Sequence, residues 1–352
     1  MLKRLSIYLL PYILFSQLQL TFKDSTGFQG KLLAYPILSY TSETRLAYGV
    51  GGRYFYRKNP KAKLSALTLT LAHTQNSQIL AILDFRHEYQ QNYLSGQVSY
   101  KKFPTSFFGI GASSIFKNEE KYTPITFFAD VNYDVEMAKN TYLGSGFIIQ
   151  HASFDPFKEE GLLIKETRNG LLDHFISGMK LSSTYDSRDH KFNTFNGFYG
   201  RGEFQLFSSV FGSEFTFRKL ILDTKYFKKV HKYLIWANQL KAEFSSSETP
   251  FLQLPQLGGL YSLRGLTTAR FVDTHAFFIQ SEARYKLSGK LGLIGFIGAG
   301  SVNNNISFDR ASFVYGIGGR YYYPGKERLT LRADIGFSED GAQIYLGINE
   351  AF

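Results

Sequence analysis

A single arginine stands among glycines and apolar residues in the segment QLGGLYSLRGLTTARFVDTHAFFIQSEARYKL, residues 256–287. A guanidinium carries five donors in a rigid plane, so Arg264 can hold a segment to a carboxylate with a defined geometry. Gly258, Gly259 and Gly265 allow tight turns and a close approach of the backbone to a wall. The segment shows no secondary-structure period before residue 276, and loops of this length are usually functional or disordered. Arg264 is therefore a candidate anchor for a long loop.

Residue types that serve catalysis or metal binding occur without the spacing that such sites need. Cysteine is absent, which excludes a thiolate metal site, a disulfide framework and a cysteine nucleophile. The seven histidines are dispersed and show no metal-ligand spacing. Asp173 with His174, and Asp186 with Asp189, are candidate acid–base pairs, but both pairs fall at the ends of strand patterns. We therefore expect no enzyme activity, no cofactor and no metal.

The bulk composition favours strands and tight turns over helices. Aromatic residues make up 17% of the 352 residues and glycine occurs 32 times, a mixture that suits strands. The net charge is +11, but the Lys and Arg residues are scattered and accompany no recognition motif, so we expect no nucleic-acid partner. Scattered positive charge can instead line a polar interior or face an anionic membrane surface.

The first residues, MLKRLSIYLLPYILFSQLQL, have the layout of a secretory signal peptide. Lys3 and Arg4 precede an apolar run from Leu5 to Phe15, which is too short to cross a bilayer as a helix. We therefore predict a signal peptide at residues 1–16, followed by a short N-terminal segment at 17–27, and we expect the protein to be exported.

Several segments alternate apolar and polar residues over the length of a membrane-spanning strand. In residues 276–287 one face includes Ile279 and Tyr285, and the opposite face includes Glu282 and Arg284. A soluble sandwich also alternates, but its strands are usually shorter and seldom carry such charges along one face. The pattern therefore predicts an all-β protein, a transmembrane antiparallel β-barrel of sixteen strands. We predict these strands near residues 31–40, 46–56, 64–73, 77–88, 93–103, 122–135, 141–152, 171–187, 197–208, 214–228, 233–245, 276–288, 291–300, 312–323, 328–337 and 342–352.

The connections between the predicted strands alternate in length. Short basic connections such as RKNPKAK and MAKN alternate with long ones, of which the longest are residues 104–121, 153–170 and 246–275. Short periplasmic turns, long outer loops and an even strand count are typical of bacterial outer-membrane barrels. We therefore expect one barrel at residues 28–352, in contact with the lipid of the outer membrane of a Gram-negative bacterium.

Three motifs resemble those of the BamA/TamA superfamily of outer-membrane assembly and two-partner secretion proteins, a bacterial surface antigen family with sixteen-stranded barrels. YDSRDHKFNTFNGFY, residues 185–199, resembles the family's strand–turn–strand motif, with Thr194 where proline is usual. SLRGL, residues 262–266, resembles the arginine–glycine motif at the tip of the sixth outer loop, with Leu266 where an aromatic is common. IYLGINEAF resembles the terminal strand signal. The resemblance covers essentially all of the chain after residue 16.

The resemblance implies an inward-folded sixth loop whose arginine packs against acidic residues of the inner wall. Glu282 is the first expected partner, because it lies on the polar face of the strand that follows the loop. The family's second acid falls at Gly298 here, so we expect either a weaker lock or one that Asp334 or Asp186 completes. The implied loop-lock motif is Leu263, Arg264, Gly265 and Leu266; the strand–turn motif is Tyr185, Asp186, Arg188, Asp189, Gly197 and Tyr199; and the terminal strand signal is Tyr345, Gly347 and Phe352.

The resemblance leaves two functions open. Family members that assemble or export proteins carry POTRA domains ahead of the barrel, and barrel sequence begins near residue 28 here, so we expect a barrel-only member. Such a barrel could assist insertion or translocation of outer-membrane components, by opening between its first and last strands, with periplasmic or outer-membrane protein partners. Alternatively, it is a structural or interaction subunit, or a modest-conductance pore, without assembly activity.

Overall fold

A computed structural model describes residues 18–23, 29–41, 45–57, 65–155, 160–167, 169–190, 193–305, 310–322 and 330–352. In chain order the strands are β1 (Leu18–Lys23), β2 (Gln29–Thr41), β3 (Arg45–Arg57), β4 (Ser65–Thr74), β5 (Ile79–Tyr89), β6 (Asn92–Lys102), β7 (Thr105–Phe107), β8 (Glu120–Tyr122), β9 (Pro124–Ala138), β10 (Thr141–Phe154), β11 (His174–Asp186), β12 (Gly197–Phe207), β13 (Phe217–His231), β14 (Leu234–Ser245), β15 (Gln256–Leu257), β16 (Phe271–Val272), β17 (His275–Ser288), β18 (Leu291–Asn303), β19 (Ser312–Tyr322), β20 (Thr330–Ser338) and β21 (Gly341–Ile348). A short helix, α1 (Leu162–Glu166), lies between β10 and β11. No helix in these described ranges is long and apolar enough to cross a membrane.

Sixteen of the described strands form one antiparallel sheet in which chain neighbours are also sheet neighbours. They are β2 to β6, β9 to β14 and β17 to β21, and β21 returns to pair with β2. The predicted sixteen-stranded antiparallel barrel is therefore confirmed. Five further strands were not predicted: β1 adds to the free edge of β2, while β7 pairs with β8 and β15 with β16 inside long connections. Residues 1–17 lie outside the described residues, so the signal peptide stays a prediction.

The strands alternate between a lipid-facing and a lumen-facing side, as the sequence predicted. On β17 the side chains of Ile279 and Tyr285 are exposed on the outer surface, whereas Gln280, Glu282 and Arg284 are buried inside. This arrangement follows from the two-residue period of a strand, which places successive side chains on opposite faces. Apolar residues thus face the bilayer, and charged residues collect in the lumen.

The long connections lie at one end of the barrel, and the segment between β14 and β17 enters the lumen from that end. Its Leu257, Leu263 and Leu266 are buried against inward side chains of the wall, among them Phe278 and Val314. A second apolar cluster joins this segment to the two other long connections and caps the barrel mouth. The predicted inward fold of the sixth loop is therefore confirmed.

Glycines in the wall leave the room that the loop occupies. A Cβ atom at Gly336 would lie 2.9 Å from Cα of Gly265, and one at Gly298 would lie 2.7 Å from Cδ1 of Leu263. Real Cβ atoms do not approach other heavy atoms this closely. A side chain at position 298 would therefore collide with Leu263 of the loop in its present position.

The seam, defined here as the junction of β2 with β21, is the weakest pairing around the described sheet. Among the described residues β21 pairs with β2 only at Thr41↔Tyr345. Farther down β2, Gln29 to Ala34 pair with β1 instead. Neither neighbour pairs with residues 35–40 of β2 in the described structure.

Candidate functional site: the loop anchor inside the barrel

The side chain of Arg264 is completely buried between two carboxylates of the inner wall. It donates to Oδ2 of Asp334 on β20 at 2.6 Å and to Oε1 of Glu282 on β17. The ring of Phe296 on β18 covers one face of the guanidinium, with its centroid 4.1 Å from the Arg264 carbon Cζ. A planar guanidinium that is bound by two carboxylates and covered by one aromatic ring is held in one orientation against the wall.

The backbone on either side of the arginine is held by a tyrosine from the last strand. The hydroxyl of Tyr345 accepts from the N–H of Gly265 at 3.1 Å and donates to the carbonyl of Leu266 at 3.1 Å. The loop turns sharply here, because Leu263 has a φ of 72° and Gly265 has a φ of 118°, a region that favours glycine. Tyr345, which we expected to serve the terminal strand signal, thus lies in the loop anchor.

The ion pairs extend from the loop to the last residues of the chain. Arg284 donates to Oε2 of Glu282 at 2.8 Å and to the backbone oxygen of Phe352 at 3.0 Å. On the other side, Arg320 pairs with Asp334 and with Oε2 of Glu350 at 2.7 Å. The alternating cluster therefore connects the loop tip with residues 350–352.

Sequence reasoning missed three members of this cluster. Arg284 was visible, because it shares a strand face with Glu282 two residues away. Arg320 lies on β19 and Asp334 on the neighbouring strand β20. Their contact can be predicted only when the register between these two strands is known. Glu350 carried no sequence signal, because it follows a turn that strand alternation does not predict.

Asp186 does not contribute to the loop anchor, contrary to one of our expectations. Both of its carboxylate oxygens accept from Arg188, at 2.8 and 2.9 Å, at the short-turn end of β11. The two carboxylates that bind Arg264 come from β17 and β20, on a different sector of the wall. The strand position of Asp186, rather than its charge, keeps it away.

The strand–turn motif forms a compact turn between β11 and β12. The guanidinium of Arg188 lies over the ring of Tyr199 at 4.5 Å, and Oδ1 of Asp189 accepts from the N–H groups of Phe195 and Asn196. The hydroxyl of Thr194 donates to the carbonyl of His190 at 2.6 Å, which fastens the turn without the family's proline. Two further members flank this turn: Tyr185 is exposed on the outer surface, and Gly197 has a φ of 127°.

Phe352 does not belong to the last strand, which we predicted to run to residue 352. β21 ends at Ile348, and Asn349, with a φ of 66°, turns the chain inward. The Phe352 ring then lies 6.2 Å from that of Phe227, a buried residue of β13. Gly347, the remaining member of the terminal motif, pairs with Arg332 across β20 and β21.

A second arginine fastens the outer part of the same loop. Arg270 donates to Oδ2 of Asp340 at 2.7 Å and to both the hydroxyl and the carbonyl of Ser114. Its guanidinium also lies 4.2 Å from the ring of Phe271. Arg270 thus joins the sixth loop to the connection before β9 and to the turn between β20 and β21. Across the part of the chain that the structure describes, no group of three His, Asp or Glu residues is placed to hold a metal ion.

The sixteen paired strands and the anchored inner loop define a transmembrane β-barrel whose lumen is crossed by one of its own loops. A family model for the Omp85 superfamily domain matches residues 62–352, and the chain belongs to that superfamily. None of the curated proteins matches the chain.

Three solved structures have similar folds. BamA from Haemophilus ducreyi lacking POTRA domains 1–3 has a TM-score of 0.64 and 13% identity, over 98% of this chain and 77% of that one. CdiB from Acinetobacter baumannii has a TM-score of 0.60 and 11% identity, over 95% of this chain and 65% of that one. CdiB from Escherichia coli has a TM-score of 0.51 and 12% identity, over 95% and 61%. This chain therefore spans less than two-thirds of either CdiB, and at these identities the similarity shows the fold alone.

Proposed function

We propose that this chain is a non-enzymatic outer-membrane barrel of a Gram-negative bacterium, and that its seam opens to assist insertion or translocation of outer-membrane components. The observation that carries the proposal is the pairing of β21 with β2 at Thr41↔Tyr345 alone among the described residues. Neighbouring pairs in the wall have ladders of eight or more residue pairs, as between β20 and β21. Each missing backbone bond lowers the cost of separating two strands.

The loop anchor supports the proposal because it gives β21 a second attachment. Tyr345 is both the seam residue that pairs with Thr41 and the side chain that bonds the loop at Gly265. The barrel can then keep β21 in place through the loop while its ladder to β2 is short. Periplasmic or outer-membrane protein partners would supply the client, in keeping with the resemblance to assembly and secretion barrels.

A disulfide across the seam tests this function, because the natural chain contains no cysteine. Tyr40→Cys with Leu346→Cys places one cysteine on each strand, each one residue from the Thr41↔Tyr345 pair and in the same register. Ile335→Cys with Ile344→Cys links β20 to β21 at two directly paired residues of the lipid face and serves as the matched control. In a strain that lacks the natural gene, we expect the oxidised seam variant not to restore a normal outer membrane. Addition of a reductant, which opens the disulfide, should restore it. Full restoration by the oxidised seam variant would refute seam opening.

A second function has its own supporting observation. On the short-turn side the lumen holds a polar cavity of about 760 Å³, lined among others by Arg86, Asp134, Lys180, Arg188, Arg201 and Glu203. Such a lining suits a modest pore or an interaction subunit without assembly activity. Conductance in planar bilayers together with a normal phenotype of the seam-locked variant would favour this second function, and a pulldown that recovers periplasmic partners would favour the first.

A further inference from the structure

The guanidinium of Arg332 is buried in the barrel without an acceptor. The residue is 3% exposed, and Nε, Nη1 and Nη2 have no hydrogen-bond partner among the residues that the structure describes. Its neighbours Arg264, Arg284 and Arg320 each bind at least one carboxylate. A buried charge needs a paired and hydrogen-bonded counter-charge, so Arg332 is the exception in this cluster.

Each carboxylate of the cluster binds at least one of the other arginines, and one of their oxygens, Oε1 of Glu350, has no partner among the described residues. Glu282 binds Arg264 and Arg284, and Asp334 binds Arg264 and Arg320. Glu350 binds Arg320. The four arginines of the cluster thus face three side-chain carboxylates and the backbone oxygen of Phe352, and Arg332 is the one arginine among them that no described carboxylate binds.

Arg332 lies one strand from the seam, near the short-turn end of the barrel. It is two residues from Thr330, whose hydroxyl accepts from the amide of Asn193, in the turn between β11 and β12, at 3.0 Å. On β21 its partner is Gly347, whose Cβ, if present, would lie 3.3 Å from Nε of Arg332.

A side chain of the sixth loop lies over the guanidinium of Arg332. The ring of Tyr261 is 5.6 Å from Cζ of Arg332, and Tyr261 itself is 64% exposed. An exposed tyrosine can change rotamer without disturbing the buried anchor next to it. Displacement of Tyr261 would therefore open Arg332 to the lumen, while separation of β21 from β2 would open it to the membrane interface.

We propose that Arg332 binds a phosphate group. Two of its guanidinium N–H groups donate hydrogen bonds to two oxygens of one phosphate. The planar guanidinium fits this geometry, and the phosphate oxygens supply the charged acceptors that Arg332 lacks among the described residues. Phosphate reaches Arg332 from a lipid headgroup through the seam, or as the free ion through the lumen past Tyr261. The site is separate from Arg264, whose two acceptors are supplied by the chain itself.

Thermal unfolding of the full barrel in a phosphate-free maltoside detergent tests the site. Sodium phosphate is compared with sodium chloride at equal ionic strength, so that screening is matched. We expect phosphate to raise the unfolding midpoint of the natural chain and of Arg218→Gln, an exposed arginine on β13, but not of Arg332→Gln. Arg332→Lys keeps the charge without the fork, so half-saturation should require roughly tenfold more phosphate.

A second titration with dihexanoyl phosphatidylglycerol distinguishes the two sources. Half-saturation at a concentration below that of inorganic phosphate, again dependent on Arg332, assigns the site to a lipid headgroup. Equal or weaker action of the lipid assigns it to the free ion. A midpoint shift that Arg332→Gln retains, or the absence of any shift in the natural chain, would overturn the proposal.

Discussion

The two edges of β21 are held in different ways. Toward β20 it has a continuous ladder from Leu331↔Ile348 to Ser338↔Gly341. Toward β2 the described residues contribute one pair, and the strand is held instead by the bonds of Tyr345 to the loop inside the barrel. One edge is therefore fixed by backbone hydrogen bonds and the other mainly by side chains from the lumen.

Because the two edges of β21 are held differently, the contacts that shape the barrel are not the contacts that close it. The buried cluster around Arg264 fixes β17, β20 and the loop through charged groups that tolerate one geometry. The seam has few bonds to lose, so it can separate while that cluster stays intact. The loop anchor and the seam are adjacent, and changes in one should be measurable in the other.

Among the substitutions that we consider, loss of Arg264 should destabilise the loop anchor the most. Arg264→Ala leaves Glu282 and Asp334 with fewer partners in a buried site, and removing one member of a buried pair costs about 3–5 kcal/mol. We expect the barrel to lose its compact gel mobility at a lower temperature and the loop to become sensitive to protease. Arg218→Ala, at an exposed position, is the control.

Unchanged gel mobility and unchanged protease protection of Arg264→Ala would show that the ion pairs do not hold the loop. In that case the apolar contacts of Leu263 and Leu266 would carry the anchor.

A methyl group in the wall should displace the loop without altering any charge. In Gly336→Ala the new Cβ would meet the Gly265 backbone, at 2.9 Å from Cα, so the loop tip must move or strain. Overpacking of this kind costs about 1–3 kcal/mol. Gly319→Ala is a matched control, because a Cβ there meets nothing within 4 Å. Loop proteolysis and thermal gel mobility measure the effect, and equal behaviour of the two variants would contradict the close packing of loop and wall.

Strand alternation predicted which residues of the wall face the loop anchor better than it predicted which residues contact one another there. The two-residue period placed Glu282 and Asp334 on the lumen face, and the structure joins both to Arg264. The same period says which face a side chain takes but not which distant residue meets it. Asp186 therefore was an acceptable partner by sequence, although its strand lies on another sector of the wall.

Two features escaped strand alternation for different reasons. The inward turn at Asn349 takes Phe352 off the last strand, which we predicted to run to residue 352, and a two-residue period contains no signal for such a turn. The strand β1 has the sequence LQLTFK, which does alternate, but it is shorter than the roughly nine residues of a spanning strand. Both features lie at the seam, where backbone pairing constrains the chain least.

A substitution at Pro36 should have the smallest effect on the difference between the two edges of β21. It lies in the unpaired stretch of β2 yet opposite Val50 in an unbroken ladder with β3. In an antiparallel strand the N–H and C=O of one residue point to the same side, and proline has no N–H. Pro36 therefore fits this ladder with its nitrogen toward the seam, where proline is usual on strand edges.

Continuing the register of Thr41↔Tyr345 along the seam sets residue 350 opposite Pro36, but Glu350 has already turned into the lumen, where it binds Arg320. Pro36→Val therefore adds a donor that finds no acceptor on β21, and we expect amide hydrogen exchange at residues 346–348 to keep the natural rate. Leu38→Val changes a neighbouring side chain on the lipid face without adding a donor and is the control. Slower exchange at residues 346–348 in Pro36→Val alone would show that the proline, rather than the path of residues 349–352 into the lumen, sets the gap in the seam.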